Sequence, residues 1–177
     1  PRSPIADAQP PAKPRRERNV LDASGIAHLL EVASSSRYGP LVSLALFSGA
    51  RRSELLALRR RDADLDKGTI TIARSLHRLA DGSFDFQPPK SARSRRVVSL
   101  PPMAINSLRV HIERLEADLG ELGQRLTLDR LLFANVDGSP LNPDLFTGAF
   151  RKIATKAGFE GLRLHDARHS HASVLAA

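Results

Sequence analysis

Apolar positions divide this chain into a helical opening, an alternating middle and a helical remainder. From Leu21 the aliphatic residues Ile26, Leu29, Leu30 and Ala33 recur at helical spacing behind Asp22, an N-cap residue type, so a helix with one buried face is predicted there. The next stretch, 41–47, reads LVSLALF and is apolar at nearly every position, which predicts a helix buried all round. A turn at Ser48-Gly49 closes it and leads through Arg51 into a further helix carrying Leu55, Leu56 and Leu58. Then the period changes. Residues 69–72 (TITI) alternate, Asp81-Gly82 is a turn signal, Phe84 and Phe86 alternate, and 96–100 is another β-prone run. These predict three antiparallel strands, with Lys90 near the turn between the second and third.

Helical spacing returns at Pro101. Ile105, Leu108, Ile112, Leu115 and Leu119 repeat at alternating steps of three and four, an amphipathic stripe too short for a coiled-coil seam and so expected to face a core. Asn142-Pro143-Asp144 supplies an N-cap, an N1 proline and a first-turn acid, with Phe146, Ala149, Phe150, Ile153 and Ala157 as the buried face and Gly158 as the stop. A last helix is expected from about His165. The fold class is therefore α+β and mainly helical: a helical bundle with a small three-stranded antiparallel sheet at one edge. Residues 1–19, rich in proline and basic side chains with Ile5 as the one large aliphatic among 1–18, read as an interdomain linker, and 20–177 as the folded domain. The last helix is still running at Ala177, so the domain is expected to be incomplete at its C-terminus.

Charge narrows the range of partners. Among 177 residues, 27 Lys and Arg outnumber 19 Asp and Glu, giving +8, which favours a polyanion such as nucleic acid. The chain has no cysteine, which excludes disulfides, thiolate metal sites and a cysteine nucleophile. No run approaches the ~18 apolar residues of a membrane span, and residues 1–19 carry no apolar signal region.

Three clusters could carry chemistry. Arg51, Arg52 and Glu54 sit where the buried helix turns into the next. Lys90, Arg93, Arg95 and Arg96 crowd a predicted hairpin turn. His165, Arg168, His169 and His171 open the last helix, and the spacing of three puts His165 and Arg168 on one face. Two arginines, a lysine and a histidine suit metal-free phosphoryl transfer, because guanidinium forks hold phosphate oxygens while imidazole and ammonium handle protons. Glu54, one turn after Arg51, is placed to orient it. Asp166 is expected to cap the last helix, and His28, His77 and His111 stand in no constellation.

Those clusters carry a resemblance. SGARRSELLALRRRDADLD, PKSARSRRVVSLP, LFANVDGSPLN and LRLHDARHSHAS occur in the order and spacing of the boxes of the tyrosine recombinases, the phage-integrase family. The resemblance runs from about Val20 onward. It implies site-specific DNA recombination or integration through a 3′-phosphotyrosyl intermediate, with Arg51, Lys90, His165 and Arg168 catalytic and no cofactor or metal. It makes Glu54 and His169 supporting residues, and Arg52, Arg93, Arg95 and Arg96 contacts to DNA. Double-stranded DNA is the implied partner. The intact protein is expected to act as a tetramer on two duplexes in the cytoplasm of a bacterial or phage-infected cell, and this chain alone to be largely monomeric. The family's nucleophilic tyrosine lies beyond the His-x-x-Arg box. Tyr38, the one tyrosine here, precedes the first box and matches a packing position. Three other readings stay open: a catalytically degenerate DNA-binding relative, a type IB topoisomerase-like enzyme, and a zinc enzyme in which His165 and His169, at i and i+4, share a metal.

Overall fold

In a computed structural model, residues 21–88 and 95–167 are described. Helix α1 (Ala23–Ser34) starts behind Asp22, whose Oδ1 accepts the Gly25 N–H at 2.7 Å, and it buries Ile26, Leu29 and Ala33. Helix α2 (Gly39–Ser48) is the centre of the molecule, with Leu41, Val42, Leu44 and Leu46 inaccessible or nearly so. It can lie close to the end of α1 because Gly39 has no side chain. A Cβ there would stand 2.6 Å from the Ala33 carbonyl oxygen, inside van der Waals contact. A short helix α3 (Arg52–Leu55) follows, then a 3₁₀ turn at Arg60–Asp62.

The middle of the chain forms β1 (Ala63–Asp64), β2 (Thr69–Ile72), β3 (Ser75–Arg78), β4 (Phe84–Gln87) and β5 (Arg96–Ser99). A three-stranded antiparallel sheet exists, but its order is β1-β2-β5, and β3 pairs with β4 as a separate hairpin closed at Asp81-Gly82. The three-stranded sheet expected from the sequence includes the Phe84/Phe86 strand, which the structure instead places in the hairpin. Its true partner, β3, carries one aliphatic residue, buried Leu76, among Ser75, His77 and Arg78, so no apolar alternation marks it. Arg74 holds this hairpin to the body: its Nε donates to the Ala57 carbonyl at 2.9 Å and its guanidinium lies 4.1 Å from the Phe86 ring centre. In the sheet, Ile70 and Ile72 face the core, and Ile72 stands opposite Arg96.

Helix α4 (Pro102–Glu121) packs against α2 and buries Ala104, Leu108 and Ile112. Helix α5 (Pro143–Lys156) begins as predicted, with Asn142 Oδ1 accepting the Asp144 N–H at 2.9 Å, and buries Phe146, Phe150 and Ile153. Tyr38 lies 5.9 Å from Phe146, centre to centre, in the packing role expected of it. His111 is likewise structural: it stacks on Phe133 at 4.8 Å, its Nε2 donates to the Leu132 carbonyl at 2.7 Å, and burial holds it below the ordinary histidine range. Among the described residues no helix is long and apolar enough to cross a membrane.

Candidate active site

Arg51 owes its position to the way α2 ends. Gly49 takes φ +57°, a left-handed conformation that suits glycine, and the Ser48 hydroxyl donates to the Leu44 carbonyl at 2.5 Å while accepting the Ala50 N–H at 3.1 Å. The chain thus leaves the core abruptly, and Arg51 becomes the extended N-cap residue of α3, which Leu55 and Leu56 pin from beneath. The Arg51 side chain is 63% exposed.

Behind it stands Glu54, whose side chain is only 8% exposed. Its Oε2 accepts the Arg51 N–H at 2.7 Å and Arg96 Nη2 at 2.8 Å; its Oε1 accepts Arg51 Nη1 and Arg96 Nη1, each at 3.2 Å. Burial pushes the Glu54 carboxyl up, but the Arg96 fork, the Arg51 N–H and the two positive charges together outweigh it and hold the group below its ordinary value. Glu54 is therefore a buried anion that holds both the backbone N–H and the guanidinium of Arg51, one helical turn away.

The other arginines divide. Arg96, grouped by sequence with the DNA contacts, is turned inward onto Glu54. Arg52, grouped with them too, is a strut between elements: its Nη1 reaches the Pro143 carbonyl and Asp144 Oδ1 at 3.2 Å and Thr147 Oγ1 at 2.6 Å, tying α3 to the first turn of α5. Arg95, just before β5, is exposed. Neither the Arg96–Glu54 pair nor the Arg52–α5 strut was legible in the sequence, because 42 and more than 90 residues separate the partners.

His165 lies in a helical turn at 164–167. Leu162 and Ala167 anchor that turn in the core, whereas His165 is exposed. Asp166 does cap it, its Oδ2 accepting the Arg163 N–H at 3.1 Å. The structure thus brings Arg51, Glu54 and Arg96 together and leaves His165 on the surface. Lys90, Arg93, Arg168, His169 and His171, and the linker 1–19, fall outside the described residues, Leu21 being the first of these. Chemically, the described part is a solvent-facing guanidinium on a fixed backbone with its counter-charge behind it, suited to binding an oxyanion.

The family model described as "Phage integrase family" matches residues 19–177. The ICEBs1 integrase of Bacillus subtilis is 32% identical over 75% of this chain and 36% of its own length. A tyrosine recombinase XerC of Xanthomonas axonopodis pv. citri is 30% identical over 97% of this chain and 50% of its own. The chain therefore spans half or less of these curated relatives. The fold matches solved structures as well. The Tn1549 transposon integrase, solved in complex with transposon right end DNA, superposes with a TM-score of 0.76 at 17% identity, covering 93% of this chain and 55% of that one. XerA recombinase gives 0.70 at 22% identity, covering 95% and 53%. With its boxes, its fold and 159 consecutive residues accounted for by one family model, the chain belongs to the phage integrase family.

Proposed function

We propose that the protein carrying this chain breaks and rejoins DNA at specific sites, through a covalent 3′-phosphotyrosyl intermediate. The observation that carries this reading is Arg51, presented to solvent by a buried helix end and backed by Glu54, in a chain of this family. In the reaction a tyrosine hydroxyl attacks a phosphorus atom, the bond to the 5′-oxygen breaks, and the phosphodiester energy is kept in the new P–O bond. Arg51 and Arg168 stabilise the charge that spreads over the non-bridging oxygens. His165 takes the tyrosine proton or donates to the phosphate, and Lys90 protonates the departing 5′-oxygen. Rejoining reverses these steps with a partner strand.

The partner is double-stranded DNA, held mainly through its phosphates by a chain of charge +8, in a tetramer on two duplexes in the cytoplasm of a bacterial or phage-infected cell. The test mixes the intact protein, tyrosine included, with a pool of nicked duplexes in EDTA and looks for a covalent protein–DNA band on a denaturing gel. A band that disappears on mutating the tyrosine supports the reading. Salt-sensitive binding without a band from any pool favours a degenerate DNA-binding relative instead, and a band formed only with added metal overturns the mechanism.

A further inference from the structure

The Glu54 carboxylate has about four acceptor sites, and four donors fill them: two from Arg96, one from the Arg51 guanidinium and one from the Arg51 backbone. Arg96 makes the two-pronged contact at 2.8 and 3.2 Å, whereas the Arg51 guanidinium reaches Glu54 at a single 3.2 Å contact and keeps most of its surface in water. Two cations share one buried anion, so the group carries a net positive charge and carries it on the outer arginine. Arg96 is itself held in place by the sheet, directly across from buried Ile72.

We propose that Arg96 is a positioning residue that takes up the charge of Glu54 and thereby leaves the Arg51 guanidinium open to a phosphate oxygen. Without Arg96, two acceptor sites of a buried carboxylate lose their donors. The cation left on the carboxylate is Arg51, which folds back onto Glu54 as a two-pronged pair and withdraws from solvent. The inference deepens the proposed function and rests on it for the identity of the ligand.

Its test uses the 177-residue chain and three variants: Arg96→Gln, the double variant Arg96→Gln/Glu54→Gln, and Arg96→Gln/Glu113→Gln. Glu113 is an exposed residue of α4, so the last variant restores the same net charge away from the site. Binding of a short duplex of arbitrary sequence is followed by anisotropy. In parallel, inorganic phosphate is titrated while the Arg51 Nε–H signal is read by NMR. Arg96→Gln should weaken duplex binding about tenfold and remove the phosphate response of Arg51, and Glu54→Gln in that background should recover both to within about threefold. Glu113→Gln should recover neither. Equal behaviour of the two double variants overturns the proposal, since Arg96 then acts as general positive charge or as packing.

If even the unaltered chain binds no duplex, the functional reading fails, and the phosphate response still decides the inference. No response at Arg51 in the unaltered chain overturns the inference as well. If melting curves show that Arg96→Gln does not fold, Arg96→Lys takes its place. It keeps the charge but not the two-pronged contact, so a weakened phosphate response of Arg51 in the folded Lys variant supports the proposal, and an unchanged response overturns it in favour of general positive charge.

Discussion

Arg51 and Arg59 each precede a short helical turn, and each donates its backbone N–H to a buried carboxylate three residues on, Glu54 at 2.7 Å and Asp62 at 2.9 Å. The carboxylates are equally hidden, at 8% and 6% exposure. The guanidiniums are not: Arg51 is 63% exposed and Arg59 only 21%. The difference lies in the third partner. Glu54 is shared with a second cation, Arg96, whereas Arg59 is shared between two acids, reaching Asp62 through Nε at 3.1 Å and Asp129 through Nη1 at 3.2 Å. Arg61 also pairs with Asp129. The Asp62 hydrogen bond, with both negative charges, raises the Arg59 pKa despite burial and locks it as a brace. One arginine-carboxylate spacing thus yields an open cation or a closed one, according to the sign of the next charge.

Removing each arginine in the intact protein should separate the two most clearly. Arg51→Ala is expected to lower strand cleavage by about 10³-fold, some 4 kcal/mol of barrier, with little change in unfolding midpoint. Arg59→Ala should do the opposite. It strands buried Asp62 and should cost about 2–3 kcal/mol in urea unfolding, while cleavage per folded molecule stays nearly normal. A protein in which Arg51→Ala cleaves normally, or Arg59→Ala unfolds no more easily, breaks the comparison.

Acid sharpens it further. The Glu54 pKa is depressed in the folded chain, so its contribution to stability is present above the ordinary glutamate value of about 4.3 and is lost as pH falls through that value toward the folded one. Unfolding curves from about pH 6 to pH 3 should therefore fall less steeply in Glu54→Gln than in the parent. Some acid slope must remain, because hydrogen bonds from local turn donors also hold Asp22, Asp64, Asp81 and Asp137 low. Parallel curves for the two proteins would remove Glu54 from the ionised network. The smallest effect belongs to Asp129→Ala. It frees one exposed end of the Arg59 brace and should cost only about 0.5 kcal/mol, measured by the same unfolding titration.

Where local chemistry decides structure, the sequence was readable. Asp22 and Asn142 cap the helices they were expected to cap, and 41–47 is buried as its unbroken apolar run required. The Arg51–Glu54 pairing was legible because it is one helical turn long. The strand at 75–78 was not, since a single leucine sets no period. Nor was the sorting of Arg51, Arg52, Arg59 and Arg96 into one presented cation and three engaged in holding the fold. All four are basic residues in basic surroundings, and what distinguishes them is which acid or carbonyl the fold brings alongside. For Arg52 that partner lies on α5, and for Arg96 it lies on α3.

The saturated carboxylate also constrains how this corner could change over generations. Losing Arg96 first leaves a buried anion facing a single arginine. Losing Glu54 first to a glutamine keeps an oxygen for the Arg51 N–H, and the two guanidiniums it leaves without a counter-charge are far less buried than the carboxylate was, so water can solvate them. Lineages that replace the pair should therefore pass through glutamine at 54 before they release the arginine at 96. The order of substitution is written into one hydrogen-bond geometry.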